Sequence, residues 1–150
     1  MAESKSLFIS YSHQDKEWLA ELQKWLKPLE NQGLIDKWDD TEIQPGAKWR
    51  DEIEKALTSA KAAILLVSQD FLFSDFIAND ELPQLLEKAE KEGLKVFWIA
   101  ISASTVTDSH PQIAKYQAAH IDPPLDQLDN ATRQKAFLEI YQKIKKVLDA

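Results

Sequence analysis

Six apolar residues in a row, Ala62-Ala63-Ile64-Leu65-Leu66-Val67, constrain this chain more than any other stretch. So short a run, with no polar interruption, suits a strand buried on both faces of a parallel sheet. A polar and aromatic connection follows from Ser68 to Phe76. Leu82, Leu85, Leu86 and Ala89 then mark one stripe of a helix. Glu81 stands where that helix opens, directly before Leu82 and Pro83. Open α/β sheets bind ligands outside the carboxyl ends of their strands, so this carboxylate is the first candidate functional group.

The rest of the chain repeats the strand–helix unit. Leu7 to Tyr11 is short, apolar and aromatic, and reads as the first strand. Ser12 and Asp15 form an S-x-x-D helix opening. The helix carries Trp18, Leu19, Leu22, Trp25, Leu26 and Leu29 on one face, which reads as core. Pro28 is expected to kink or stop it, and Gly33 to provide the left-handed cap. Leu34 to Trp38 is a second, shorter strand whose Asp36 and Lys37 suit a sheet edge. Asp39 to Lys48 is a polar connection turned by Pro45-Gly46, and Trp49, Ile53, Ala56, Leu57 and Ala60 mark a second amphipathic helix. Leu94 to Ile101 is another buried strand. A short helix is expected at Gln112 to Tyr116, a last strand at Gln117 to Ile121, and a final helix capped by Asn130.

Five such alternations predict an α/β fold with a five-stranded parallel sheet and helices on both faces. Right-handed crossovers leave few topologies, of which the order 2-1-3-4-5 is common. It makes strands one and three neighbours, so Tyr11-Ser12 and the stretch from Ser68 to Glu81 border one crevice.

Composition narrows the chemistry. There is no cysteine, which excludes thiolate catalysis, disulfides and cysteine-based zinc sites. His13, His110 and His120 are scattered, and Asp39-Asp40 lack a third ligand nearby, so no metal is expected. A net charge of −7 opposes nonspecific binding to nucleic acid or anionic membrane. Met1 to Ser6 lacks the apolar core of a signal peptide. The expectation is one cytoplasmic domain over residues 1–150, either whole or the N-terminal part of a longer protein.

Three segments together resemble the Toll/interleukin-1 receptor (TIR) domain family, especially its bacterial members. They are Phe8-Ile9-Ser10-Tyr11-Ser12; Asp39-Asp40 with Pro45-Gly46 and Trp49; and Ser68 to Leu82, with Ser74-Asp75-Phe76 and Glu81-Leu82. The resemblance covers about Ser6 to Leu148 and implies a flavodoxin-like fold. It also implies self-association, in which the loop matching Asp39 to Lys48 takes part. For a subset it implies cleavage of NAD+ at the nicotinamide–ribose bond, with an essential glutamate at the position of Glu81. Two departures stand out. Many members have Trp four residues before the glutamate, where this chain has Ile77, with Phe76 five before it. Animal members often carry basic residues after the first strand, where this chain has Ser12-His13.

One carboxylate suffices for that reaction. Most glycosidases need a second carboxyl group to protonate the leaving oxygen. Nicotinamide departs from a positively charged ring nitrogen as a neutral molecule, so no general acid is required. A carboxylate beside the ribose can hold the sugar and stabilise the oxocarbenium-like charge. The bland reading of Glu81 is a first-turn acid favoured by the helix dipole, worth roughly 0.3–1 kcal/mol. The resemblance favours the catalytic one.

With NAD+ as substrate and no cofactor, the candidate substrate contacts are Tyr11, Ser12, His13, Gln44, Trp49, Phe76 and Ile77. The alternative is a non-enzymatic self-assembly module. A phosphoacceptor receiver is disfavoured, because Ser10-Tyr11-Ser12 and Ser68 stand where it needs acids. A deoxyribosyltransferase lacks its motif.

Overall fold

Residues 6–35, 37–40, 49–74, 82–120 and 122–149 are described in the computed structural model, with backbone alone for 37–40, 49–53 and 117. In chain order the elements are β1 (Ser6–Ser10), α1 (Lys16–Asn31), β2 (Lys37–Asp40), α2 (Trp49–Ser59), β3 (Ala60–Val67) and α3 (Gln69–Phe73). They continue with α4 (Leu82–Glu92), β4 (Lys95–Ala100), α5 (Val106–Ser109), α6 (Pro111–Ala114), β5 (Gln117–His120) and α7 (Asn130–Leu148). The strands form one five-stranded sheet in the order β2-β1-β3-β4-β5, every neighbouring pair parallel. This is the expected flavodoxin-like arrangement.

The apolar run in β3 supplies both faces by alternation. Ala62, Ile64 and Leu66 join Leu7, Ile9, Phe97 and Ile99 beneath α1 and α7. Ala63, Leu65 and Val67 join Phe8, Trp98 and Ala100 beneath α2, α3 and α4. Leu22, Leu26 and Leu29 of α1 are fully buried, each contributing about 1.5–3 kcal/mol. The exposed ion pairs on that helix, Lys24–Glu21 and Lys27–Glu30, are worth roughly 0.3–0.5 kcal/mol each. The apolar stripe therefore holds α1 in place. Trp18 and Trp25 pack at its margin against Phe137 of α7, as a core role requires.

Several boundaries differ from the sequence reading, each for a local reason. Pro28 does not stop α1, which runs on to Asn31. The helix ends in a Schellman motif, with Leu34 N–H donating to Leu29 O (2.9 Å), Gly33 N–H to Glu30 O (3.1 Å) and Gly33 at φ +77°. That motif uses Leu34, and Ile35 is buried in the core beyond it, so β2 starts at Lys37 instead of Leu34. Asp39 and Asp40 consequently pair with Phe8 and Ile9 as strand residues. Ala60 opens β3 by pairing with Ser6 and does not end α2. Within the stretch read as a plain connection after β3, Ser68 starts the short helix α3. Asp129, rather than Asn130, caps α7: its carboxylate accepts from Thr132 N–H at 2.8 Å.

Candidate functional site

The strand order brings the carboxyl ends of β1 and β3 side by side, with Ser10 level with Leu65. The chain leaves β1 through Tyr11 and Ser12 into a 3-10 turn, His13–Asp15. Ser12 caps the turn, its Oγ accepting from Gln14 N–H (3.2 Å) and its carbonyl from Asp15 N–H (2.8 Å). The capping serine is thus as expected, but the Asp15 side chain makes no cap to α1. It reaches across to the neighbouring strand instead.

Ser68, the first residue after β3, donates its hydroxyl proton to Asp15 Oδ2 at 2.5 Å. The same Ser68 oxygen accepts from Phe71 N–H at 3.1 Å, capping α3. Both residues are buried, Ser68 2% and Asp15 8% exposed. Burial pushes the Asp15 carboxyl above the usual carboxylate range, the Ser68 hydrogen bond acts the other way, and the nearby charge of Asp70 adds to the rise. The next residue, Gln69, extends the rim toward β4: its Oε1 accepts from Thr105 N–H (2.9 Å) and lies 3.3 Å from Thr105 Oγ1. Ile101 N–H, just beyond β4, donates to Val67 O (2.9 Å). Loops after three neighbouring strands of the sheet, β1, β3 and β4, are therefore fastened along one edge.

Of the sequence-predicted site residues, Tyr11, Ser12 and His13 lie together at the tip of β1. Tyr11 is buried with the α1 and α7 layer. His13 is exposed, its ring centroid 5.8 Å from that of Tyr11 at a tilt of 49°. Trp49 belongs to α2. Gln44, Phe76, Ile77 and Glu81 lie outside the described residues, as does the Pro45-Gly46 turn. Leu82, the residue after Glu81, lies in α4 and is buried in the cluster that contains Val67, Phe71 and Leu72.

Sequence reasoning missed the Asp15–Ser68 pair, because the partners are 53 positions apart. The one signal for it was the strand order, which places the turn after β1 against the first residue after β3. Two grooves lie elsewhere. A charged one of about 300 Å³ between α2 and α4 is lined by Glu54, Gln84, Glu87, Lys88, Lys91 and Glu92. Another of about 280 Å³, including Leu94, Lys95 and Tyr116, lies by the amino end of β4, the rim opposite Ser68. Among the described residues no three His, Asp or Glu side chains gather as metal ligands.

A family model described as the TIR domain matches residues 7–137. Protein y4lF of Sinorhizobium fredii is 35% identical over 83 residues, 55% of this chain but only 26% of that protein. Among solved structures, the TIR domain heterodimer of RPS4 and RRS1 is similar with a TM-score of 0.66 at 12% identity, covering 98% of this chain and 100% of that one. A diflavin flavoprotein A3 from Nostoc is similar at 0.61 and 12% identity, covering 98% and 95%. At such identities the structures establish the fold alone, and one fold hosts many chemistries. The family match carries more weight.

Proposed function

This chain belongs to the TIR domain family, and from that premise we propose that it is an NAD+ nucleosidase of the bacterial kind. It cleaves the nicotinamide–ribose bond to give nicotinamide and ADP-ribose or a cyclised ADP-ribose. The observation that carries the reading is the burial of Leu82, the residue after Glu81, in the same apolar cluster as Val67 at the carboxyl end of β3 and Phe71 and Leu72 of α3. Glu81 is the proposed catalytic carboxylate, stabilising charge on the ribose as neutral nicotinamide leaves. Ser12 and His13 at the tip of β1 are proposed substrate contacts, with Tyr11 packed beneath them. Gln44, Trp49, Phe76 and Ile77 complete the proposed pocket, and NAD+ enters as substrate with no further cofactor.

Self-association through the segment Asp39 to Lys48, which leaves the end of β2, is proposed as the activating step. Support comes from the RPS4–RRS1 heterodimer and from the Roq1 resistosome, whose TIR domains are similar with a TM-score of 0.53 at 23% identity over 93% of this chain. No described helix is long and apolar enough to cross a membrane. The proposed setting is the cytoplasm, on a domain spanning residues 1–150 that is whole or the N-terminal part of a longer protein. The same assemblies motivate the second reading, a self-assembling signalling module without chemistry.

The deciding experiment incubates concentrated protein with NAD+ and resolves products by chromatography. Wild type is expected to release nicotinamide, and Glu81→Gln to lose about 10²–10³-fold in rate. Equal turnover by the two would remove the mechanism. Assembly lost on changing Pro45 or Gly46, with no turnover even by assembled wild type, would leave the module reading.

A further inference from the structure

The Asp15–Ser68 hydrogen bond spends a buried carboxylate on a single hydroxyl. A buried carboxylate loses hydration, and its elevated proton affinity records that loss. A serine can cap a short helix without any such partner. The carboxylate adds direction: with its proton committed to Asp15, the Ser68 oxygen presents a lone pair to Phe71 N–H. The turn after β1, the first turn of α3 and the β1–β3 gap are thereby held in one geometry. Gln69, the next residue, carries that geometry on to Thr105.

We propose that Asp15 is a positioning residue: by fixing the Ser68 hydroxyl across the β1–β3 gap, it sets how the tip of β1 stands relative to the corner from which the chain continues toward Glu81. Ser12 and His13 sit on one side of this brace, and Phe71 and Leu72, in one apolar cluster with Leu82, on the other. Its functional consequence rests on the NAD+ reading, since only a substrate spanning both sides is sensitive to their spacing. Small misplacements at such sites can cost as much as about 10²-fold in rate.

The test compares the wild-type chain with Asp15→Ala, Asp15→Asn, Ser68→Ala and the Asp15→Ala/Ser68→Ala double variant. The readouts are amide hydrogen exchange at Phe71, and kcat and KM for nicotinamide release. Asn keeps an acceptor oxygen, so Asp15→Asn is expected to retain Phe71 protection and stay within a few-fold of wild-type kcat. Asp15→Ala is expected to lose Phe71 protection and about tenfold or more in kcat, and the double variant to be no worse than the worse single one. If Asp15→Ala does not fold, the comparison of Asp15→Asn with Ser68→Ala carries the same contrast. Unchanged Phe71 protection in Asp15→Ala, additive losses in the double variant, or an Asn variant no better than Ala would overturn the proposal. If wild type releases no nicotinamide, the NAD+ reading fails by itself. The brace is then judged on Phe71 exchange alone, where loss in Ala and retention in Asn upholds it and any other pattern overturns it.

Discussion

The indole of Trp25 on α1 lies nearly parallel to the ring of Phe137 on α7, 6° between planes and 6.1 Å between centroids. Trp18, two turns earlier, is also stacked on Phe137 at 6.5 Å and 22°, and carries the Arg133 guanidinium 4.9 Å from its ring. Arg133 is held in turn by Leu125 and Leu128 carbonyls. One phenyl ring thus joins the first and last helices over the same face of the sheet.

Phe137→Ala is expected to cost about 3–5 kcal/mol, because it opens a cavity and removes two aromatic contacts at once. Urea unfolding followed by tryptophan fluorescence measures it. A loss below about 1 kcal/mol would mean that the two helices close over the gap.

The Asp15 carboxyl, raised in the fold, makes stability depend on pH. The folded state binds its proton more tightly, so the contribution is full below the unfolded value of about 3.9 and is lost as pH rises through the folded one. Asp15→Asn should gain on wild type as pH climbs from about 4, levelling once Asp15 is ionised in both states. Urea midpoints across that range give the sign, and an Asp15→Asn stability that falls relative to wild type with rising pH contradicts it.

Asp129 has the opposite sign. The Thr132 backbone N–H, with a further contribution from the Thr132 side chain, holds its carboxyl below the usual range. Its contribution is present above the unfolded value and fades as pH falls through the folded one. Asp129→Ala should therefore lower the thermal midpoint at neutral pH and converge on wild type in acid. Asp129→Asn, which keeps an acceptor for Thr132, should lose less.

Gly33 at φ +77° has nothing within 4 Å of the position a Cβ would take. Gly33→Ala should cost only the backbone term, about 1–2 kcal/mol, with no repacking of the core. The same holds for Gly93 at φ +74°, after α4. Equilibrium unfolding with unchanged tryptophan emission of the folded state checks both parts of this expectation.

The sheet was legible because apolar runs and their spacing are local facts. The run from Ala62 to Val67, the α1 stripe and the glycine after it dictate three features of the fold, and crossover handedness supplies the strand order. Boundaries were less legible where two residues suited one role. Asp129 and Asn130 are both good caps, and only the backbone placement of α7 chooses between them. Leu34 and Ile35 look like strand residues, yet the helix cap and the core take them first. The tip of β1 was located from sequence. The brace beneath it was not, since a Ser-x-x-Asp spacing reads as a helix opening until the chain is folded. Gln44, Phe76, Ile77 and Glu81 lie outside the described residues, so their part rests on sequence and family alone.

With both faces of β3 apolar, polarity cannot police its register. What distinguishes its two ends is size, with Ala62 and Ala63 leading and bulkier side chains following. Deleting one residue from this strand would expose no greasy surface. It would swap the side chains offered to the two helical layers, and Ser68 would emerge on the wrong side, leaving the Asp15 carboxylate sealed in without its hydroxyl. A frame error in the middle of the sheet would be felt first at its rim.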